Sequence, residues 1–149
     1  MRCIEMEIKI KKLSEHAITP RRSSSSAAGA DLYALLSEPL EIAPGDTAFI
    51  PTGISAEIPE GYAGFVFARS GLASKVGLAP ANKVGVVDSD YRGEIIVALH
   101  NHSDSSATVR SGDRVAQLVV MPVVTADYIE ADELSGTERG AGGFGSTGK

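Results

Sequence analysis

The sequence predicts an all-β domain, a sandwich or barrel with one short helix and a flexible glycine-rich C-terminal tail. Short apolar stretches alternate at period two, as half-buried strands do. Turn signals separate them at intervals of roughly eight to twelve residues, the spacing of strands in sandwiches and barrels. The 149 residues include 16 Gly and 7 Pro, spread between the apolar runs rather than collected in one linker. Helical periodicity is nearly absent.

Met6, Ile8 and Ile10 alternate with Glu7, Lys9 and Lys11, which predicts a first strand. Thr19 to Ala28, with the run Ser23 to Ser26, predicts a loop. Leu40 and Ile42 precede Pro44-Gly45-Asp46, where Pro fixes φ and Gly permits positive φ, so a turn follows that strand. Ile50, Ile54 and Ile58 hold one face, punctuated by Pro51, Pro59 and Gly61 as strand ends or edges. Tyr62 to Ala68 is a further strand. Ser70 to Lys75 predicts the one short helix, with Ser70 as N-cap and Gly77 closing it. Ala79 to Val87 reads as a hairpin, Glu94 to Asn101 as a strand, and Asp113 to Val124 as a long, mostly buried strand. There is no internal repeat, so the expected organisation is one β-domain over 1–135 and a mobile tail over 136–149.

Composition narrows the function classes. At 43% hydrophobic and 22% charged residues the chain has the balance of a soluble globular protein. The single Cys3 excludes an intrachain disulfide framework and suits a reducing compartment. Met1 to Lys12 is too charged for a signal peptide. Val115 to Ala126 is too short to span a bilayer and contains Pro122. A cytoplasmic protein with no membrane partner is expected. The net charge of −5 argues against nucleic-acid binding, which needs a basic face. An anionic ligand would have to be drawn in by local cations or a metal.

Five segments carry candidate chemistry. Ala28-Gly29-Ala30-Asp31-Leu32 sits where a polar loop enters a strand, and a plain turn residue is the commoner reading of an isolated Asp beside Gly. In Ala68-Arg69-Ser70-Gly71-Leu72 a cation leaves a strand beside a helix start, which suits phosphate, although a cap and a surface Arg explain the same residues. Gly85 to Glu94, GVVDSDYRGE, is the densest polar cluster. One carboxylate there suits a general base, and Tyr91 offers a flat face to a sugar or base; the structural alternative is a charged hairpin. Gln117 interrupts an apolar run and needs hydrogen-bond partners if buried. His100 and His102 lack nearby ligands at zinc spacing, so both, with His16, are read as structural or surface residues.

The last segment, GAGGFGSTGK, fits two phosphate-loop patterns at once: Gly140, Gly142 and Gly145 as G-x-G-x-x-G, and Gly143 to Lys149 as G-x-x-x-x-G-K. Both patterns rely on a following helix. None follows Lys149, so the segment reads as a clamp that wraps an anion with backbone N–H groups, or as a solubilising tail.

Taken together and in this order, the five segments resemble the trimeric deoxyuridine triphosphate nucleotidohydrolase (dUTPase) family, from AGADLYA at Ala28 to GGFGSTG near the end. The resemblance implies a jelly-roll-like β fold and a homotrimer with shared active sites. It implies hydrolysis of dUTP to dUMP and pyrophosphate with Mg2+, limiting uracil incorporation into DNA and supplying dUMP for dTMP synthesis. Asp88 matches the carboxylate that positions the attacking water, and Gln117 the residue that contacts phosphate or that water. Tyr91 matches the aromatic under the deoxyribose; the hairpin between Ala81 and Val87, with Asn82, matches the segment whose backbone reads uracil. Arg69, Ser70 and Gly71 match the first phosphate-binding segment, and Asp31 the position that holds the metal through water. Arg139, Gly145, Ser146 and Thr147 match contacts to the outer phosphates, and Phe144 the ring that stacks on uracil. Two positions depart: Ala68 stands where Pro or Gly is usual, and Lys83 where a small residue is. A dCTP deaminase shares the general fold, but its sequence after the hairpin Asp differs from Asp88-Ser89-Asp90-Tyr91. A non-catalytic nucleotide sensor would have kept the pocket without the need for Asp88.

Overall fold

A computed structural model describes residues 6–143 of the chain. Twelve strands and one helical turn follow in order: β1 (Lys9–Lys12), β2 (Arg21–Arg22), β3 (Ala30–Tyr33), β4 (Leu40–Ile42), β5 (Thr47–Pro51), β6 (Ile54–Glu57), β7 (Tyr62–Phe67), the turn Leu72–Val76, β8 (Leu78–Pro80), β9 (Gly85–Val87), β10 (Ile96–Asn101), β11 (Ala107–Val109) and β12 (Arg114–Pro122). All pairings are antiparallel. The largest sheet has the order β2-β3-β12-β7-β9, and a second has β5-β10-β8; β1 pairs with β6 and β11 with β4. Apart from β2 and β3, neighbours in the sheets are non-consecutive in sequence, in keeping with a jelly-roll-like architecture.

Period two does what the sequence requires of it. Ile50, Ile54 and Ile58 are all buried, and in β10 Val97, Leu99 and Asn101 point inward while Ile96 points out. The inward residues of both large sheets meet in one apolar cluster that includes Leu32, Ile50, Leu99, Val115 and Leu118. Asn101, fully buried, donates from Nδ2 to the carbonyls of Ile42 and Ser105, while its Oδ1 accepts from Ser103 N and Oγ. A buried amide so completely partnered costs little and ties the end of β10 to β4.

Four expectations need correction. The segment 19–28 is not all loop, because Arg21 and Arg22 add an edge strand opposite Asp31 and Ala30. Ala79 to Val87 is not a paired hairpin: β8 joins β10 and β9 joins β7, so the two arms enter different sheets. Ser70 caps no helix. The element is a five-residue π-helical turn with Gly71 at its N-cap position and no side-chain cap, and Ser70 instead accepts a bond from Ser74 Oγ at its carbonyl. Gly77 closes this turn as expected, at φ 80°, and a Cβ there would strike Ser103. The final strand is only partly buried and runs from Arg114 to Pro122; beyond it residues 123–141 are exposed.

Candidate active site

Two constellations of polar residues form at opposite reaches of the largest sheet. The first lies where β3, β12 and β7 run side by side: Asp31 is opposite Gln117, and Gln117 is opposite Phe67. Arg69 follows two residues after β7 ends. Its Nε donates to Asp31 Oδ1 at 2.7 Å, and Arg114 Nη1 donates to Asp31 Oδ2 at 3.2 Å. The Asp31 carboxylate is 13% exposed, so the two guanidiniums replace most of its lost water. Arg69 also donates to the Arg114 carbonyl at 3.4 Å. Two cations on one anion leave a net positive corner. Gln117 is half-buried, and its Nε2 donates to the Ala68 carbonyl at 2.9 Å. Its side chain lies against Gly29, where any Cβ would overlap Oε1. Ser70 and Gly71 are exposed beside this corner. Their amides precede the first helical bond, from Ala73 N to the Arg69 carbonyl, and are free to face an anion.

The second constellation surrounds a cavity of about 370 Å³ between the 81–84 turn and the outer face of β10. Asn82, Val87, Asp88 and Tyr91 line it, with Phe49 and Ile96 on its apolar side. That volume and that mixture suit a small ligand with one flat apolar part and a few polar edges. The turn is tied to the β10 backbone by Ala81 N donating to the Ala98 carbonyl at 2.7 Å. At its tip Val84 N donates to the Asn82 carbonyl, with Lys83 between them at φ 65°. Asp88 is exposed at the mouth, and Tyr91 N donates to its carbonyl. The Tyr91 hydroxyl donates to the Glu94 carbonyl at 2.9 Å, which fixes the ring across the cavity edge.

The remaining expected residues belong to the tail. Arg139 is exposed, and its Nε donates to the Gly142 carbonyl, folding a turn on itself. Phe144, Gly145, Ser146 and Thr147 lie outside the described residues.

The sheet itself measures the gap between the constellations. Gln117 pairs with Phe67 on one side of β7, and Val87 with Gly64 on the other. Three residues along a strand and two strand spacings across put their Cα atoms about 14 Å apart. Within one chain the backbones that carry Asp88 and Gln117 thus stand on opposite sides of β7.

Three contributors lie within the segments singled out in the sequence but had no role assigned there. Arg114 shares Asp31 with Arg69, Gly29 makes room for Gln117, and the Glu94 backbone holds Tyr91. The only sequence trace of the first is its position three before Gln117 on the same strand. The other two act through backbone, which leaves no residue-type signal beyond the glycine.

A family model described as dUTPase matches residues 15–148. The deoxyuridine 5'-triphosphate nucleotidohydrolase of Desulfitobacterium hafniense is 50% identical over 149 residues, covering 99% of each chain. That of Nautilia profundicola is 50% identical over 144 residues, covering 97% of this chain and all of its own. Among solved structures, a Staphylococcus bacteriophage 80alpha dUTPase with dUpNHpp superposes with a TM-score of 0.87 at 29% identity, covering 96% of this chain and 99% of that one. A dUTPase mutant from phage phi11 of S. aureus, described for its coordination of a structural Mg(II) ion, gives 0.76 at 27% identity, covering 86% and 98%.

Proposed function

The chain belongs to the dUTPase family and is a dUTP diphosphatase, and we propose that it hydrolyses dUTP at sites assembled from the two constellations of different subunits. The observation that carries this reading is the cavity beside Asp88: a nucleoside-sized, largely apolar space with a carboxylate at its mouth. Uracil enters between the 81–84 turn and β10, where fixed backbone groups and Asn82 meet its polar edge. Cytosine reverses the donor and acceptor at one ring position and leaves those groups unpaired, a mismatch worth roughly 10⁴-fold. Tyr91 lies under the deoxyribose and leaves no room for a 2′-hydroxyl.

The triphosphate then extends toward Arg69, Ser70, Gly71 and Gln117 of a neighbouring subunit. Asp88 holds the attacking water and takes its proton as the new oxygen–phosphorus bond forms at the α-phosphate. The bond from the α-phosphorus to the bridging oxygen breaks, and pyrophosphate leaves with both electrons of that bond. Positioning and charge stabilisation supply most of the acceleration in such a reaction. Arg69 and Arg139 meet the charge on the outer phosphates, and the tail, 136–149 with Phe144, Gly145, Ser146 and Thr147, closes over the bound nucleotide.

Mg2+ fits this donor set. No three His, Cys, Asp or Glu side chains converge among the described residues, and Mg2+ characteristically keeps its waters and binds through substrate phosphates with few carboxylates. Asp31 carries one guanidinium on each oxygen and retains lone pairs for a metal-bound water. When bound, the ion would neutralise about half of the substrate charge.

Two features favour a homotrimer. The gap of about 14 Å between the Cα atoms of Gln117 and Val87 supports a site completed by a second chain. Apolar side chains also stand open to solvent on the segment after β12, with Tyr128 98%, Leu134 90% and Ile129 86% exposed, as they would where another subunit covers them. No helix among the described residues is long and apolar enough to cross a membrane, and a cytoplasmic location fits the single Cys3.

Pyrophosphate release from dUTP, UTP, dTTP and dCTP in parallel, with Asp88→Asn as control, tests the reading. Release from dUTP alone, lost in the variant, is the expected result. Equal release from UTP or dCTP, or full activity in the variant, would refute it.

A further inference from the structure

Tyr91 does not hold its own place. A Cβ built on Gly93 would lie 2.5 Å from Tyr91 Cζ and 2.9 Å from Cε2, and closer still to the hydroxyl oxygen. The phenol tip therefore rests directly on the Gly93 backbone, and its hydroxyl reaches past it to the Glu94 carbonyl at 2.9 Å. No other residue type permits this arrangement, because even a methyl group occupies the space the ring fills. Gly93 is exposed and does not adopt positive φ, so its backbone conformation is open to any residue. The absent side chain matters here only for what lies against it.

The surroundings leave the ring's position to these two contacts. Tyr91 is 45% exposed, so core packing does not hold it. Its backbone is pinned by Tyr91 N donating to the Asp88 carbonyl and by Arg92 Nη1 donating to the carbonyls of Ser89 and Tyr91. The backbone is thus fixed while the ring keeps two torsions. The Gly93 surface and the Glu94 carbonyl select one setting of those torsions, and that setting places the ring at the edge of the nucleoside cavity.

We infer that Gly93 is the specificity-determining position for the sugar: its bare backbone seats the Tyr91 ring at the depth that admits a deoxyribose and refuses a ribose. The inference rests on the reading of Tyr91 as the sugar platform. Gly93 touches no substrate atom and acts through the ring, so it is a positioning residue. An added methyl forces the tip to move by about 1 Å or more to regain ordinary contact distance, and it breaks the bond to Glu94. A displacement of that size matters in a site where shape alone rejects one hydroxyl.

The test compares kcat/KM for dUTP and UTP in the wild type, Gly93→Ala, Tyr91→Ala, Tyr91→Phe and the double variant Tyr91→Ala/Gly93→Ala, with folding checked by circular dichroism. Gly93→Ala should lower the dUTP-over-UTP preference by about tenfold or more, the scale of one misplaced group in a shaped pocket. Tyr91→Phe should lose less, since its ring still rests on Gly93. In the double variant the methyl should add nothing to the loss from Tyr91→Ala, because the ring it displaces is gone. A Gly93→Ala enzyme that keeps its preference, while Tyr91→Ala loses it, would overturn the inference alone. A Tyr91→Ala enzyme that keeps its preference would overturn the platform reading and the inference with it. A methyl effect that persists in full without the ring would assign Gly93 a role unrelated to Tyr91 and also overturn it.

Discussion

The two ends of the proposed site are built from different materials. At the phosphate end, charged side chains hold one another: Asp31 is shared by Arg69 and Arg114, and Gln117 is tied to the Ala68 carbonyl. At the nucleoside end, backbone does most of the holding, through Ala81 to Ala98, Val84 to Asn82 and the Glu94 carbonyl under the Tyr91 hydroxyl. The contrast follows from what each end must recognise. A phosphate chain offers charge and little shape, so preorganised cations suffice. A base offers hydrogen-bonding edges and a flat face, which rigid backbone reads more finely than flexible side chains. Substitutions at the first end should act on turnover and salt dependence, and those at the second on selectivity.

The sharpest way to break the comparison is to ask whether the two ends belong to one chain. Asp88→Asn removes the base and should abolish turnover; Arg69→Ala removes the main phosphate cation and should cost nearly as much. If each site draws its ends from different subunits, mixing the two inactive variants by denaturation and refolding must restore activity. Random assortment gives about a quarter of sites an intact Asp88 and an intact Arg69 from separate chains. No recovery from a mixture that sedimentation shows to be reassembled would mean that both ends act within one chain, contrary to the spacing on β7.

A smaller effect, at the phosphate end, separates charge from placement. Asp31→Asn leaves both guanidiniums but removes the anion that aims them. The corner becomes more positive, so KM for dUTP should hold or fall, with a steeper dependence on salt. Turnover should drop by about ten- to a hundredfold, because the cations no longer point at the developing charge. Stability should fall by about 1.5 kcal/mol, the low end for a charged hydrogen bond, because both guanidiniums are partly solvated. Unchanged turnover with a raised KM would show that Asp31 acts in binding, through the metal-bound water, rather than in aiming the cations.

The same contrast explains what was legible in the sequence. Residue types that carry charge or aromatic faces announce themselves, so Asp31, Arg69, Asp88, Tyr91 and Gln117 could be singled out before any coordinates. Period-two burial was equally plain, as Ile50, Ile54 and Ile58 show. Strand partners were not, because pairing across sheets is a long-range choice. Ala79 to Val87 looks like a hairpin locally, yet its arms find β10 and β7, whose apolar edges lie far off in sequence. Ser70 has the residue type of an N-cap, but the π-helical turn shifts the cap position to Gly71. The separation of the two site ends depended on register along β7, which no motif encodes.

The smallest expected effect tests whether the backbone at the nucleoside end carries strain. Lys83 sits at φ 65° between the Asn82 carbonyl and the Val84 amide, 2.7 Å apart, which is a γ-turn of the rare positive-φ kind. A residue with a Cβ holds that conformation at a cost of about 1–2 kcal/mol, which glycine avoids. Glycine also has more freedom to lose on folding, which offsets about 0.4–1 kcal/mol. Lys83→Gly should therefore stabilise the protein by up to about 1 kcal/mol, or roughly 2–4 °C at fixed protomer concentration. Lys83 is exposed, so no packing is lost to obscure the result. Uracil preference should stay unchanged, because the bonds from Ala81 and Val84 that shape the turn involve backbone only. A loss of preference without a loss of stability would mean that strain at Lys83 helps to hold the reading edge in place, and that backbone rigidity at this end is maintained by a side chain after all.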